Sequence, residues 1–239
     1  MTRLSSDKLL GEAKTGAASI DMVFDVCHKD LETLWLFFFA EAFDVRNPKD
    51  FSTNFNKLIS ALHSFKNSFP MYLQIGFWDA GGDMVVSSDY GMEIGDFLSD
   101  QERRLVMYIS QRSQNNNIMP NHAISPALFS VRHRGYVVTV GKTVYSPDGE
   151  ILGCLMIDLD FDQLVNLIKN VDTDTNSGGY AFLVDFNGNV VFHLDYAPYD
   201  SNCSHANDLL VRESLLDTSM GRSGFLIYTP HNQTGDNLA

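Results

Sequence analysis

Apolar residues first recur with a helical period. Leu10, Ala13, Ala17, Ile20, Phe24, Cys27, Leu31, Leu34 and Phe38 follow one another at alternating steps of three and four. That spacing predicts one long helix with a single apolar seam. A seam of this length suits a stalk or dimer helix, and equally a helix laid along its own domain. A second helix begins at Asn47. Asn47 is a suitable cap, Pro48 fits the first turn, and Asp50 complements the positive end of the helix dipole. Phe51, Phe55, Leu58, Leu62 and Phe65 form its expected buried face, and Pro70 marks its end.

Beyond Pro70 the pattern changes to that of strands. Residues 72–78 and 84–88 read as a hairpin around Ala80-Gly81-Gly82. A helix follows from Ser99 to about residue 112, with Glu102 at the capping-box position. Residues 113–126 read as a long loop, and loops of that length are commonly functional. Two strongly apolar strands, 136–145 and 151–158, flank the turn Ser146-Pro147-Asp148-Gly149. Asp160 then caps a helix over 161–171, with Gln163 at the box position. A polar linker, 172–178, precedes another hairpin, 180–185 and 190–194, around Asn187-Gly188. A helix near 207–216 and a strand over 225–228 complete the expected elements. Consecutive antiparallel strands with helices segregated between them make an α+β fold.

Composition narrows the function classes. The chain carries 17 Lys+Arg against 30 Asp+Glu, a net charge of -13. Such a surface repels phosphate backbones, which argues against nucleic acid and anionic membrane surfaces as partners. The three cysteines, Cys27, Cys154 and Cys203, are odd in number and lack the spacing of a zinc site or a disulfide framework. Cys27 and Cys154 lie in apolar patterns and read as core residues. The N-terminal stretch lacks the apolar region of a signal peptide. The most apolar run, 34–43, is about half the roughly 20 residues of a membrane-spanning helix.

Residues 136–171, YVVTVGKTVYSPDGEILGCLMIDLDFDQLVNLIKNV, and 178–198, GGYAFLVDFNGNVVFHLDYAP, carry a resemblance. Gly153 and Asp158 bracket four apolar residues of a strand, Gly-Cys-Leu-Met-Ile-Asp, and a helix follows. Gly179, Tyr180, Asp185 and Gly188 then open a second unit. The chain resembles the double-Cache family of PAS-like extracytoplasmic sensor domains. The resemblance implies a stalk or dimer helix over 1–46, a membrane-distal ligand-binding module over 47–175, and a membrane-proximal module over 176–239. The latter is expected to be truncated, because it stops after its third strand. It also implies a small-molecule ligand (an amine or other small metabolite), a homodimer through the N-terminal helix, and an extracellular or periplasmic location. Membrane attachment would come only through flanking segments that this chain lacks. The family belongs to chemoreceptors and other signal-transduction receptors, and also to auxiliary subunits of voltage-gated calcium channels. The alternative to a sensor is therefore a structural or interaction domain with a vestigial pocket.

Asp158 stands where the family holds an amine. A carboxylate at the end of an apolar strand can meet an ammonium in a partly desolvated pocket, or it can help to cap the helix that follows. Arg132 and Arg134 flank the strand at 136; either can hold a ligand carboxylate or remain a solvated edge charge. Tyr108 and Tyr145 are candidate pocket walls or ordinary core aromatics. Amino-acid-binding members carry a Tyr…Arg-x-Trp arrangement; Tyr108 matches its Tyr, but residues 125–128 supply no Arg-x-Trp. The stretches Asp158-x-Asp160-x-Asp162 and Asp172-x-Asp174-x-Asn176 lack the Gly and closing Glu of a calcium loop. The sequence contains no nucleophile elbow, phosphate-binding loop, zinc-protease motif or dinucleotide fingerprint. The expectation is a sensor that is not an enzyme and uses no cofactor or metal.

Overall fold

Three long strands hydrogen-bond side by side and organise the rest. They are β1 (Tyr72–Asp79), β5 (Gly135–Tyr145) and β6 (Ile151–Asp160). The computed structural model describes residues 3–36, 48–89, 100–114, 121–146, 148–169, 183–184 and 190–192. Its other elements are α1 (Arg3–Leu34), α2 (Pro48–Ser68), β2 (Met84–Ser87), α3 (Asp100–Gln114), β3 (His122–Ile124), β4 (Leu128–Ser130), α4 (Phe161–Lys169), β7 (Leu183–Val184) and β8 (Val190–Phe192). Two compact units result: residues 21–164, and residues 1–20 with 165–239. In the second, β7 and β8 pair antiparallel. The expected linker over 172–178, the turn at Asn187-Gly188 and everything from residue 193 onward lie outside the described residues.

In the first unit the strand order is β2-β1-β6-β5-β3, with β4 also on β5. Every described pairing in this sheet is antiparallel. β6 lies at the centre. Its side chains alternate between the two faces, and both faces are covered. Cys154 and Met156 pack with Trp78, Val106, Ile109 and Ala123, so α3 covers this face. Leu155, Ile157 and Leu159 point the other way and are fully buried.

On that second face, Tyr72 Oη donates to Asp30 Oδ2 of α1 at 2.7 Å. Lys142 Nζ of β5 donates to Glu32 Oε1, also on α1, at 2.6 Å. The Cys27 thiol of α1 is buried and pushed up to about 12 by desolvation. α2 packs beside β1 and β2, where the imidazole of His63 bonds the backbone oxygen of Ser88 at 3.1 Å. Among the described residues no helix is long and apolar enough to cross a membrane.

Most expected elements are present within a residue or two, and three points differ. The apolar seam of α1 is buried only in part. Of its residues Cys27, Leu31 and Leu34 are buried, Phe24 is half-buried with its neighbour Val23 buried in its place, and Ala17 is exposed. Residues 113–126, read as a loop, contain β3, and β4 follows at Leu128–Ser130. Both strands are three residues long and take their order from β5 rather than from any pattern of their own. They lie end to end along it, His122 opposite Lys142 and Leu128 opposite Val137. Finally, β6 runs on to Asp160, because β1 and β5 continue to pair with it there.

Gly153 is where β6 begins to pair with β1. Its φ is +156°, and a Cβ on it would sit 2.0 Å from the Trp78 carbonyl oxygen and 2.8 Å from Phe77 Cζ. Both obstacles are parts of the core. Gly153→Ala is therefore expected to destabilise the domain by about 2 kcal/mol or more, read from urea unfolding midpoints.

Candidate functional site

One row across the centre of the sheet is polar where its neighbours are apolar. On the α3 face, Trp78–Cys154–Thr143 and Gly76–Met156–Gly141 form two successive rows of cross-strand partners. α3 closes over both. Ser110 Oγ lies 3.3 Å from Cys154 Sγ, and a Cβ on Gly141 would meet Ile109 Cγ2 at 2.7 Å. Burial raises the Cys154 thiol pKa, which keeps it protonated. The third row is Gln74–Asp158–Thr139. Gln74 and Thr139 are almost completely buried, and the Asp158 side chain is 14% exposed.

A buried carboxylate must find donors or lose much of its solvation energy. Asp158 finds one in its neighbouring strand: Thr139 Oγ1 donates to Asp158 Oδ1 at 2.6 Å. His133 Nε2 stands 3.4 Å from the other oxygen, Oδ2. Gln74 continues the row. Its Nε2 donates to Ser87 Oγ of β2 at 2.6 Å, and its Oε1 accepts from Arg132 Nη1 at 3.0 Å. Arg132 and His133 both come from the turn 131–134 between β4 and β5, where Arg134 takes a left-handed φ of 53°. His133 N donates to Ser130 Oγ at 3.3 Å and steadies the turn. The backbone of Thr139 is clamped by Ser125, whose Oγ accepts from Thr139 N at 2.9 Å and whose N donates to Thr139 O at 2.8 Å.

The alternative role for Asp158, capping the next helix, belongs to Asp160. Asp160 Oδ1 accepts from the backbone nitrogens of Asp162 and Gln163 at 2.9 and 3.4 Å. Gln163 Nε2 returns to Asp160 Oδ2 at 3.0 Å and to the Pro70 carbonyl at 3.2 Å. With Asp160 on the helix end and Asp162 exposed, the acidic run is spread over three environments. Among the described residues no group of three His, Cys, Asp or Glu is placed to hold a metal ion.

Of the residues singled out from the sequence, Asp158 and Arg132 address the same row. Arg134 is exposed on the same turn. Tyr108 packs from α3 against the Trp78–Cys154–Met156 cluster. Tyr145 is opposite Ile151, six positions along β5 from Thr139 and so about 20 Å away. Gln74, Thr139 and His133 went unnoticed in the sequence. The available signal was the alternation of the strands: Gln74 is a polar residue inside the apolar β1, and Thr139 interrupts the apolar run at the start of β5.

Comparison with known proteins agrees with this architecture. The model of the Cache domain matches residues 1–236. The chain belongs to the Cache domain family. No curated protein matches it closely enough to count as a relative. Among solved structures it is similar to the sensory domain of the Campylobacter jejuni chemoreceptor Tlp3 with isoleucine bound. Identity is 16%, coverage 93% of this chain and 84% of that one, and the TM-score 0.55. It is also similar to a domain of a sensory box/GGDEF family protein from Vibrio parahaemolyticus, at 16% identity over 80% and 72% of the two chains, TM-score 0.56. A third is the ligand-binding domain of the Pseudomonas aeruginosa amino acid chemoreceptor PctC in complex with GABA, at 13% identity over 81% and 76%, TM-score 0.53. At these identities the likeness is one of fold: a Cache domain with an N-terminal helix and an antiparallel sheet.

Thr139→Val keeps the shape of the side chain and removes the hydroxyl that Asp158 accepts from. A hydrogen bond to a buried charged group contributes more than a neutral one, so this variant is expected to lose about 1.5–3 kcal/mol of stability. Chemical denaturation of the two proteins side by side measures the difference.

Proposed function

We propose that this Cache domain is the extracytoplasmic ligand-binding module of a signal-transduction receptor, and that the Gln74–Asp158–Thr139 row is the floor of its binding site. The observation that carries the reading is a largely buried carboxylate retained on the central strand of the sheet, between Gln74 and Thr139. A purely structural core gains nothing from this, since an apolar side chain at the same place would avoid the desolvation cost. A carboxylate has about four lone-pair positions. Thr139 occupies one of them, and an incoming ammonium can use the others. The ligand class is therefore a small amine or a metabolite that carries one. That Tlp3 and PctC bind isoleucine and GABA supports this chemistry without naming the compound here.

Within this reading, residues 47–175 are the membrane-distal, ligand-binding module of a double-Cache arrangement. Residues 176–239 belong to the membrane-proximal one, and α1 is the stalk through which a ligand-induced shift would leave the domain. The hairpin of β7 and β8 supports a second sheet. Arg132 would serve as a second anchor. It already reaches the row through Gln74 and can turn its planar guanidinium to a ligand carboxylate or other acceptor.

A thermal-shift screen of amines, amino acids and organic acids identifies a binding compound, and titration calorimetry then compares variants. Asp158→Asn preserves shape and removes charge. It is expected to weaken an amine ligand by about tenfold or more, because a charge-assisted bond becomes a neutral one. Asp160→Ala serves as the control: it should cost about 1 kcal/mol of stability through the lost helix cap and leave affinity unchanged. Equal affinity of wild type and Asp158→Asn for an amine would remove Asp158 from the site. If no compound binds, the structural or interaction role is the better description.

A further inference from the structure

A second polar cluster lies on the opposite face of the same sheet, where α1 meets β3 and β5, and the ligand row has no use for it. His28 and Glu32 project from α1, one turn apart. His122 of β3 and Lys142 of β5 are direct cross-strand partners. All four meet. Lys142 Nζ donates to Glu32 Oε1 at 2.6 Å, and His122 Nε2 is 3.4 Å from the same oxygen. The His28 and His122 rings meet edge to face, with centroids 4.9 Å apart. His28, His122 and Lys142 are buried. Among the described residues, His28 Nδ1 has no hydrogen-bond partner.

We propose that His28, His122, Glu32 and Lys142 form an acid-operated latch, which holds residues 21–34 of α1 against β3 and β5 and releases them when His28 takes up a proton. The charge balance of the closed cluster makes it sensitive to one proton. A single carboxylate, Glu32, already serves an ammonium and faces one imidazole. Asp25, one turn earlier on α1, is the other carboxylate near His28, and it is exposed. A proton on His28 therefore places a new cation in a buried space beside His122 and near Lys142, with no unused carboxylate inside among the described residues. Water is the better environment for that cation, and α1 reaches water by leaving the sheet. The apolar contacts of Val23, Cys27, Leu31 and Leu34 oppose this, so the latch is a balance between a seam and a charge.

The direction follows from where the proton binds. Burial first, and the neighbouring His122 second, push the His28 imidazole down from 6.5 to about 4, against smaller upward pulls from Asp25 and Glu32. On a released helix the same imidazole is solvated and protonates near its ordinary value. Release therefore takes up a proton between pH 6.5 and about 4. The closed state is fully favoured above that window and loses ground as the pH falls through it. One differential proton corresponds to about a tenfold change in the opening equilibrium per pH unit.

The latch does not depend on the ligand reading and needs no ligand to test. Amide hydrogen exchange of the full chain, corrected for intrinsic rates, is followed from pH 7.5 to 4.5. Opening of residues 23–34 is expected to rise by about tenfold per unit below pH 6.5, while residues 57–68 of α2 keep their protection. In His28→Phe, which retains an aromatic ring and cannot titrate, the rise should vanish. An unchanged α1, an equal loss of protection in α2, or the same rise in His28→Phe overturns the proposal. Should that variant not fold, the His28 ring-proton resonances of the wild type decide the matter. A midpoint well below 6.5 that coincides with α1 opening supports the latch. An ordinary midpoint near 6.5 with α1 still protected refutes it.

Discussion

A strand covered on both faces leaves no inexpensive place for a charge, and β6 is such a strand. It hydrogen-bonds to β1 along one edge and β5 along the other. α3 closes over Cys154 and Met156 on one face, and Leu155, Ile157 and Leu159 are buried on the other. The pairing of β1 with β6 joins residues about 80 positions apart in sequence, so the sheet closes only when the chain between them is in place. Once it has closed, the register settles which residues face one another. Asp158 falls between Gln74 and Thr139, and a shift of one position in either neighbour would turn those partners to the other face. The hydroxyl of Thr139 and the reach of His133 are thus consequences of register.

That dependence explains what could be read from the chain and what could not. β5, β6 and the capped α4 were legible because each signals itself locally, through an apolar run, a Pro-Asp-Gly turn, or Asp160 with Gln163 three positions on. Asp158 stood out because it interrupts an apolar run near the end of a strand. Its partners were not. Gln74 precedes it by more than 80 residues, and only strand order makes the two neighbours. β3 and β4 were missed for a related reason: three residues show no period, and their extended form comes from β5 alone. α1 shows a converse error, since a seam can be continuous in sequence while cover is not, and Ala17 lies on the exposed part.

The two polar clusters are built differently. In the row on the α3 face, Asp158, Thr139 and Gln74 sit on adjacent strands whose positions backbone hydrogen bonds fix. Arg132 and His133 reach it from the four-residue turn between β4 and β5. The cluster on the other face instead bridges elements. Glu32 and Lys142 are 110 residues apart and joined across a helix–sheet contact, where no backbone ladder helps. The first cluster is fixed by strand pairing, whereas the second is held by side-chain contacts alone.

The faces also share strands. Lys142 is three positions along β5 from Thr139, and His122 is three positions before Ser125, which clamps the Thr139 backbone by two hydrogen bonds. A displacement of Thr139 that carried its strand would therefore carry Lys142, and with it the carboxylate of α1. Proximity alone does not establish coupling between sites. It does restrict the form coupling can take here. Two paired strands move as a unit or slip by whole residues, and a slip would bury the wrong face of β5. Coupling between the Gln74–Asp158–Thr139 row and α1 would therefore take the form of a small rigid movement of β3 and β5 together, read by side chains that bridge from strand to helix.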